Sequence, residues 1–167
     1  MLKKFIMAAL VALPLSAAAQ KIGTVNQDQV LQAMPEATQM QETLKASSQQ
    51  YETEYQKLVE ELQRLYTDFQ SIQDDPNTPQ AIKERRMQEI QDRQTKVEQF
   101  RNTATQDLQR QQEQLMAPIV QKLNDAIKAV GQEGGFTLIL PAEPQLVLYS
   151  GADVVDLTPQ VKSKLGL

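Results

Sequence analysis

The sequence predicts a mostly helical α+β chain, in which a long antiparallel coiled-coil hairpin is attached to a small β body made by the two chain ends. Three observations carry this. Residues 36–72 contain neither Gly nor Pro and repeat apolar residues at heptad spacing. The run Asp74-Asp75-Pro76-Asn77-Thr78-Pro79 is a turn, and a second periodic stretch follows it. Short apolar runs bounded by turn residues lie only at the two ends.

The first 19 residues read as a cleavable leader. Lys3 and Lys4 precede an apolar run from Phe5 to Leu15, and Ala17 and Ala19 fit the small-residue rule for a cut between Ala19 and Gln20. The run is too short to span a bilayer. The expected location is therefore the periplasm, after export.

Lys21 to Asn26 forms a strand with Ile22 and Val25 as its apolar members, and Asn26 or Asp28 caps a short helix carrying Val30, Leu31 and Met34. The first long helix follows from Glu36. Its seam is Met40, Leu44, Tyr51, Tyr55, Leu58, Leu62, Leu65, Phe69 and Ile72, with steps alternating four and three from Tyr51 onward. At 1.5 Å per residue it extends about 55 Å. After the turn at 74–79, Thr78 is the expected N-cap and Pro79 the first helical residue.

The second helix should run to Glu133. Its seam reads Met87, Ile90, Gln94, Val97, Arg101, Ala104, Leu108, Gln111 and Leu115, weakened by its polar members. Pro118 removes a backbone donor and should kink or re-aim it. Gly134-Gly135 ends it. Residues 36–75 hold nine acids against three bases, whereas 80–130 hold nine bases against seven acids. Folding the two back on each other is favourable, but exposed pairs contribute only about 0.2–1 kcal/mol each, so the seam must supply most of the stability.

In the tail, Phe136 to Leu140, Leu146 to Tyr149 and Val154 to Asp156 are strand candidates, and Thr158-Pro159 opens a last helix ending near Leu165. Apolar strands of this kind need cover on both faces. The hairpin cannot supply it, so self-association is expected. The division is thus a leader over 1–19, a hairpin over 36–118, and a body from 20–35 and 119–167 whose oligomerisation residues include Ile22, Val25, Leu138, Leu140, Val147 and Tyr149.

Composition narrows the function. The chain has no His, no Cys and no Trp. It therefore lacks the commonest general base, the commonest transition-metal ligand and any disulfide. No nucleotide loop of the G-x-x-x-x-G-K-[ST] type occurs, and the carboxylate pairs Glu60/Glu61 and Asp74/Asp75 have no supporting ligand set. No catalytic residue, metal or cofactor is expected, and the chain is not read as an enzyme. Losing Lys3 and Lys4 takes the basic count from 17 to 15 against 21 acids, a net charge of −6. This balance opposes nucleic acid as a partner.

The opening K-I-G-T-V-N-Q-D-Q-V-L-Q-A-M-P-E-A, the K-E-R-R-M-Q-E-I at Lys83 to Ile90 and the ending L-V-L-Y-S-G-A-D-V-V-D-L-T-P-Q-V-K-S-K-L carry a resemblance. In these segments and their order the chain resembles the Skp/OmpH family of periplasmic chaperones, in its Bacteroidetes-like form. The resemblance implies a homotrimer with a β body from the ends of three copies. Three hairpins would surround a cavity that holds unfolded outer-membrane proteins without ATP. The best-known members are strongly basic, whereas this chain has a pI near 4.9. That departure counts against a positively charged cavity.

Two surface readings remain open. Lys83, Arg85 and Arg86 near the tip either contact lipopolysaccharide or anionic lipid headgroups, as the resemblance implies, or form a solvated face paired with Asp74 and Asp75. Val59, Tyr66 and Phe100 fall at e or g positions beside the seam, and either meet a client chain or widen the hairpin's own contact. The dispersed Gln residues suit weak, adaptable contacts. A structural coiled-coil adapter of the envelope, holding one folded partner, is the alternative function.

Overall fold

The computed structural model describes residues 20–143 and 146–167. The expected leader and its cut after Ala19 lie outside the described residues. The elements are β1 (Ile22–Val25), α1 (Gln27–Ala33), α2 (Pro35–Gln73), α3 (Gln80–Glu133), β2 (Leu138–Pro141), β3 (Val155–Asp156) and α4 (Thr158–Leu165).

Asn26 caps α1, its side chain accepting from the Gln29 N–H at 2.9 Å. Pro35 occupies the start of α2, where a missing N–H costs nothing. The second long helix begins one residue later than expected. Pro79 takes the cap position without a side-chain hydrogen bond, because the Thr78 hydroxyl is committed to Asp75 instead. Pro118 lies inside α3, which is continuous from Gln80 to Glu133.

The sheet has the order β2-β1-β3, and both neighbours run parallel to β1. Parallel neighbours need a crossover connection. Here the entire hairpin is the crossover between β1 and β2. Register pairs Ile22 with Leu138, Gly23 with Ile139 and Thr24 with Leu140, while Gly23 also lies opposite Val155. Gly23, Ile139 and Val155 therefore share one face, and Ile22, Leu138 and Leu140 the other.

The first face closes the core. Val25, Val30, Met34, Ala37, Met40, Ile119, Leu123, Ala126, Val130, Leu157 and Val161 form one buried cluster. It sits where α1, the first turns of α2, the last turns of α3, β1 and α4 meet. A Cβ on Gly23 would lie 2.5 Å from the Leu157 side chain, so the close approach of α4's entry to the sheet requires glycine there. The expectation that the chain cannot cover its own strands is thus corrected for one face: its own α1, α3 and α4 cover it, and Val25 belongs to that core at 1% exposure.

The other face is open, with Leu138 at 48% and Leu140 at 38% exposure. The strand expected over Leu146 to Tyr149 does not form. Leu146 and Val147 both donate their N–H to the Glu143 carbonyl, which makes a turn. Leu148 and Tyr149 stand exposed. Among the described residues no strand pairs with them.

Along the hairpin every expected α2 seam residue is at least half-buried. The α3 seam differs from the expected one. Ile90, Val97 and Ala104 are buried as anticipated, but Met87, Gln94 and Arg101 are exposed. Arg86, Arg93 and Phe100, one position earlier, are half-buried in their place, and Asp107 is half-buried beside the expected Leu108. The two registers share every second member, so spacing alone could not separate them. Burying the Phe100 ring in place of the Arg101 guanidinium decides for the observed one.

Candidate functional site

No helix among the described residues is long and apolar enough to cross a membrane, and no group of three or more His, Cys, Asp or Glu among them could hold a metal. The surfaces that remain are the hairpin, its base and the open sheet face.

At the tip the cations are engaged with the chain itself. Lys83 Nζ donates to the carbonyl of Gln73 at 2.8 Å, one of those the end of α2 leaves unpaired, and to the carbonyl of Asp75 in the turn at 2.9 Å, which also accepts from the Thr78 N–H. The Asp75 carboxylate accepts from the Thr78 hydroxyl at 2.7 Å and the Asn77 N–H at 3.0 Å. The Thr78 bond, then that N–H, and also the nearby Lys83 charge hold its carboxyl below the ordinary value. Arg85 and Arg86 both pair with Glu89, at 3.1 and 2.7 Å. Glu89 is likewise held below the usual range, first by the Arg86 hydrogen bond and then by Arg85. Asp74 and Asp75 therefore do not supply the side-chain partners of these arginines; Glu89 does.

Midway, a polar cluster crosses the hairpin. The Tyr51 hydroxyl donates to Asp107 Oδ2 at 2.5 Å, Gln111 Nε2 donates to the same oxygen at 2.6 Å, and Ser47 Oγ donates to Gln111 Oε1 at 2.9 Å. The Tyr51 ring meets Phe100 edge-on, with centroids 6.0 Å apart. Nearer the tip, Gln94 donates to the Tyr66 hydroxyl and Arg93 reaches Glu61 at 2.7 Å. Tyr66 and Phe100 thus sit within the interhelical contact. Val59 is 38% exposed.

At the base an open groove of about 380 Å³ lies between α2 and α3. Met40 and Ile119, both nearly buried, form its floor, with Leu115 and Pro118 beside them. Glu36 and Lys122 form an ion pair across it. The Lys122 hydrogen bond, then the backbone N–H of Glu36 itself, hold the Glu36 carboxyl below its ordinary value. Its Oε2 is buried and meets no hydrogen-bond partner among the described residues. Sequence reading missed this groove. The signal for it was the turn at 74–79: folding the chain there brings 36 opposite 122, as it brings Ser47 opposite Gln111.

In the body, Lys21 Nζ donates to the Gly134 carbonyl at 2.9 Å and lies 4.2 Å from the centre of the Phe136 ring. Lys164 pairs with Glu133 at 2.5 Å. The exposed apolar residues Leu138, Leu140, Leu146, Leu148 and Tyr149 all belong to this end of the molecule.

The family model described as "Outer membrane protein (OmpH-like)" matches residues 21–165. The chain is 29% identical over 174 residues to the chaperone protein Skp of Pectobacterium atrosepticum, covering 96% of this chain and 100% of that one. It is 29% identical over 166 residues to the chaperone protein Skp of Escherichia coli K12, covering 96% and 97%. An OmpH-like protein from Caulobacter crescentus CB15 shares the fold, with a TM-score of 0.74 at 14% identity over 87% of this chain and 83% of that one. A match that spans both body segments and the whole hairpin places this chain in the OmpH-like family of outer membrane proteins.

Proposed function

We propose that the protein is an ATP-independent holdase chaperone of the periplasm, which binds unfolded outer-membrane proteins and keeps them from aggregating. The observation that carries this reading is the division of labour in the fold. One end holds a compact core and an uncovered sheet face, and the rest of the chain is a two-helix rod with a thin seam. Covering Leu138 and Leu140 with other copies of the chain would set the rods side by side around a space, and a homotrimer is the assembly we propose. Such a space isolates clients sterically and needs no nucleotide. Relatives named as Skp chaperones, matched along nearly their full length, support the same role.

Val59 is our candidate for direct client contact on the rod. Tyr66 and Phe100 contribute through their exposed edges while stabilising the seam. Of the two readings of Lys83, Arg85 and Arg86, we favour the solvated tip over an anionic lipid contact, because backbone carbonyls and Glu89 already satisfy them. The test is aggregation of several unrelated urea-unfolded β-barrel proteins, diluted into buffer with and without the protein. Suppression of light scattering without nucleotide supports a holdase. No suppression, together with capture of one folded envelope protein, supports a structural adapter instead.

A further inference from the structure

We propose that the exported chain is modified at its new N-terminus, where Gln20 cyclises to pyroglutamate, a neutral five-membered lactam. The starting point is the expected cut between Ala19 and Gln20, set by the small residues Ala17 and Ala19.

Three observations point to this site. First, the cut would leave glutamine at the terminus, the residue whose side-chain amide reaches its own α-amine through a five-membered ring. Second, the fold leaves that residue free. Gln20 is exposed and belongs to no helix or strand, β1 begins only at Ile22, and among the described residues Gln20 makes no backbone hydrogen bond. Third, the chain is fixed from the next residue onward. The Lys21 carbonyl accepts from the Thr137 N–H at 2.8 Å, and Lys21 Nζ is held by the Gly134 carbonyl and the Phe136 ring. Ring closure therefore turns only the bonds of Gln20 itself and disturbs no contact of the fold.

The α-nitrogen attacks Cδ of the Gln20 side chain. An N–Cδ bond forms and the Cδ–Nε2 bond breaks. Nε2 takes one proton from the α-nitrogen and leaves as ammonia. Nothing is oxidised or reduced, and no co-reactant is consumed. The attacking amine must be uncharged, and an α-amino group titrates close enough to neutral pH to supply that form. Nucleophile and amide belong to one residue, so the step has the advantage of an intramolecular reaction. The product nitrogen is an amide and carries no charge. Gln20 stands two residues before Ile22, whose register partner is Leu138 on the open sheet face. A charged amine at the margin of that face would oppose its burial against other copies, and the lactam removes that charge.

The test uses the full chain, exported with its own leader, purified from the periplasm and kept at neutral pH. Intact-mass spectrometry should give the chain 20–167 less one ammonia, and tandem spectra of the N-terminal peptide should place the loss at Gln20. N-terminal sequencing should be blocked, and pyroglutamyl aminopeptidase should reopen it at Lys21. Gln20→Ala keeps the small-residue cut site and should retain its full mass and an open N-terminus. An equal loss of ammonia in that variant would place the reaction elsewhere and overturn the proposal. Should the variant remain unprocessed, the tandem spectra of the unsubstituted chain decide alone. A mature chain that still carries a free Gln20 amine after prolonged incubation overturns the lactam and leaves the cut standing. A mature chain that starts at another residue removes the cut, and the proposal with it.

Discussion

The hydroxyl of Thr158 accepts a hydrogen bond from the backbone N–H of Asn26 at 2.9 Å, across 132 positions of sequence. The same hydroxyl donates to Asp156 Oδ1 at 2.6 Å, and Asp156 Oδ1 also accepts from the Thr158 N–H. One side chain thus locks the end of β1 to the start of α4, and Thr158 is only 3% exposed. Thr158→Val keeps the shape and removes the hydroxyl. It leaves the Asn26 N–H unpaired, which should cost about 1–3 kcal/mol. A thermal melt that matches wild type would show the latch to be incidental.

The Tyr51–Asp107 bond should fix the hairpin's register. Polar groups that must pair within a seam favour the one alignment of two helices that pairs them, at some expense in stability. Tyr51→Phe should lower stability by about 1 kcal/mol and broaden the distance distribution between spin labels at Gln56 and Asn102. A distribution as narrow as that of wild type would assign the register to packing alone.

The tip should loosen in acid. Asp75 and Glu89 are carboxylates whose folded-state values lie below their ordinary ones. Each contributes stability that is present above the unfolded value and is lost as the pH falls through the folded one. Amide exchange at residues 73–78 should therefore accelerate, after correction for intrinsic rates, as the pH drops below the usual carboxylate range. Lys83→Met should produce the same loosening at neutral pH, since it removes the donor that ties the Gln73 carbonyl to that of Asp75. Exchange that stays flat in both experiments would contradict the staple.

Rod and body should respond separately to substitution. Leu62 lies in the α2 seam far from the core cluster, so Leu62→Asp should reduce helix content measured by circular dichroism and leave the oligomer intact. If the oligomer dissociates as well, the seam and the assembly are one unit and the division is wrong.

The parts of the fold readable from sequence were those that local chemistry dictates. The heptad run, the turn at 74–79, the Asn26 cap and the D-L-T-P start of α4 each follow from a residue and its immediate neighbours. Choosing the α3 seam was harder, because Ile90, Val97 and Ala104 belong to both candidate registers, and only the contest between Phe100 and Arg101 separates them. The core eluded the sequence reading for a different reason. Val25, Val30, Leu123 and Val161 are far apart in the chain and converge only once β1 and β2 pair in parallel around the hairpin. The groove required still more, since Glu36 and Lys122 acquire meaning only after the rod closes. Residues 146–149 were the clearest miss. An apolar run reads as a strand, but a strand needs an edge to join, and within one chain the Glu143 carbonyl captures its first amides instead.

The open face formed by Leu138 and Leu140 is the feature on which assembly depends. Sedimentation equilibrium of the purified protein tests it most directly. The account predicts a mass of three chains, falling to one in Leu138→Asp. A wild-type protein that sediments as a single chain at micromolar concentration would contradict it.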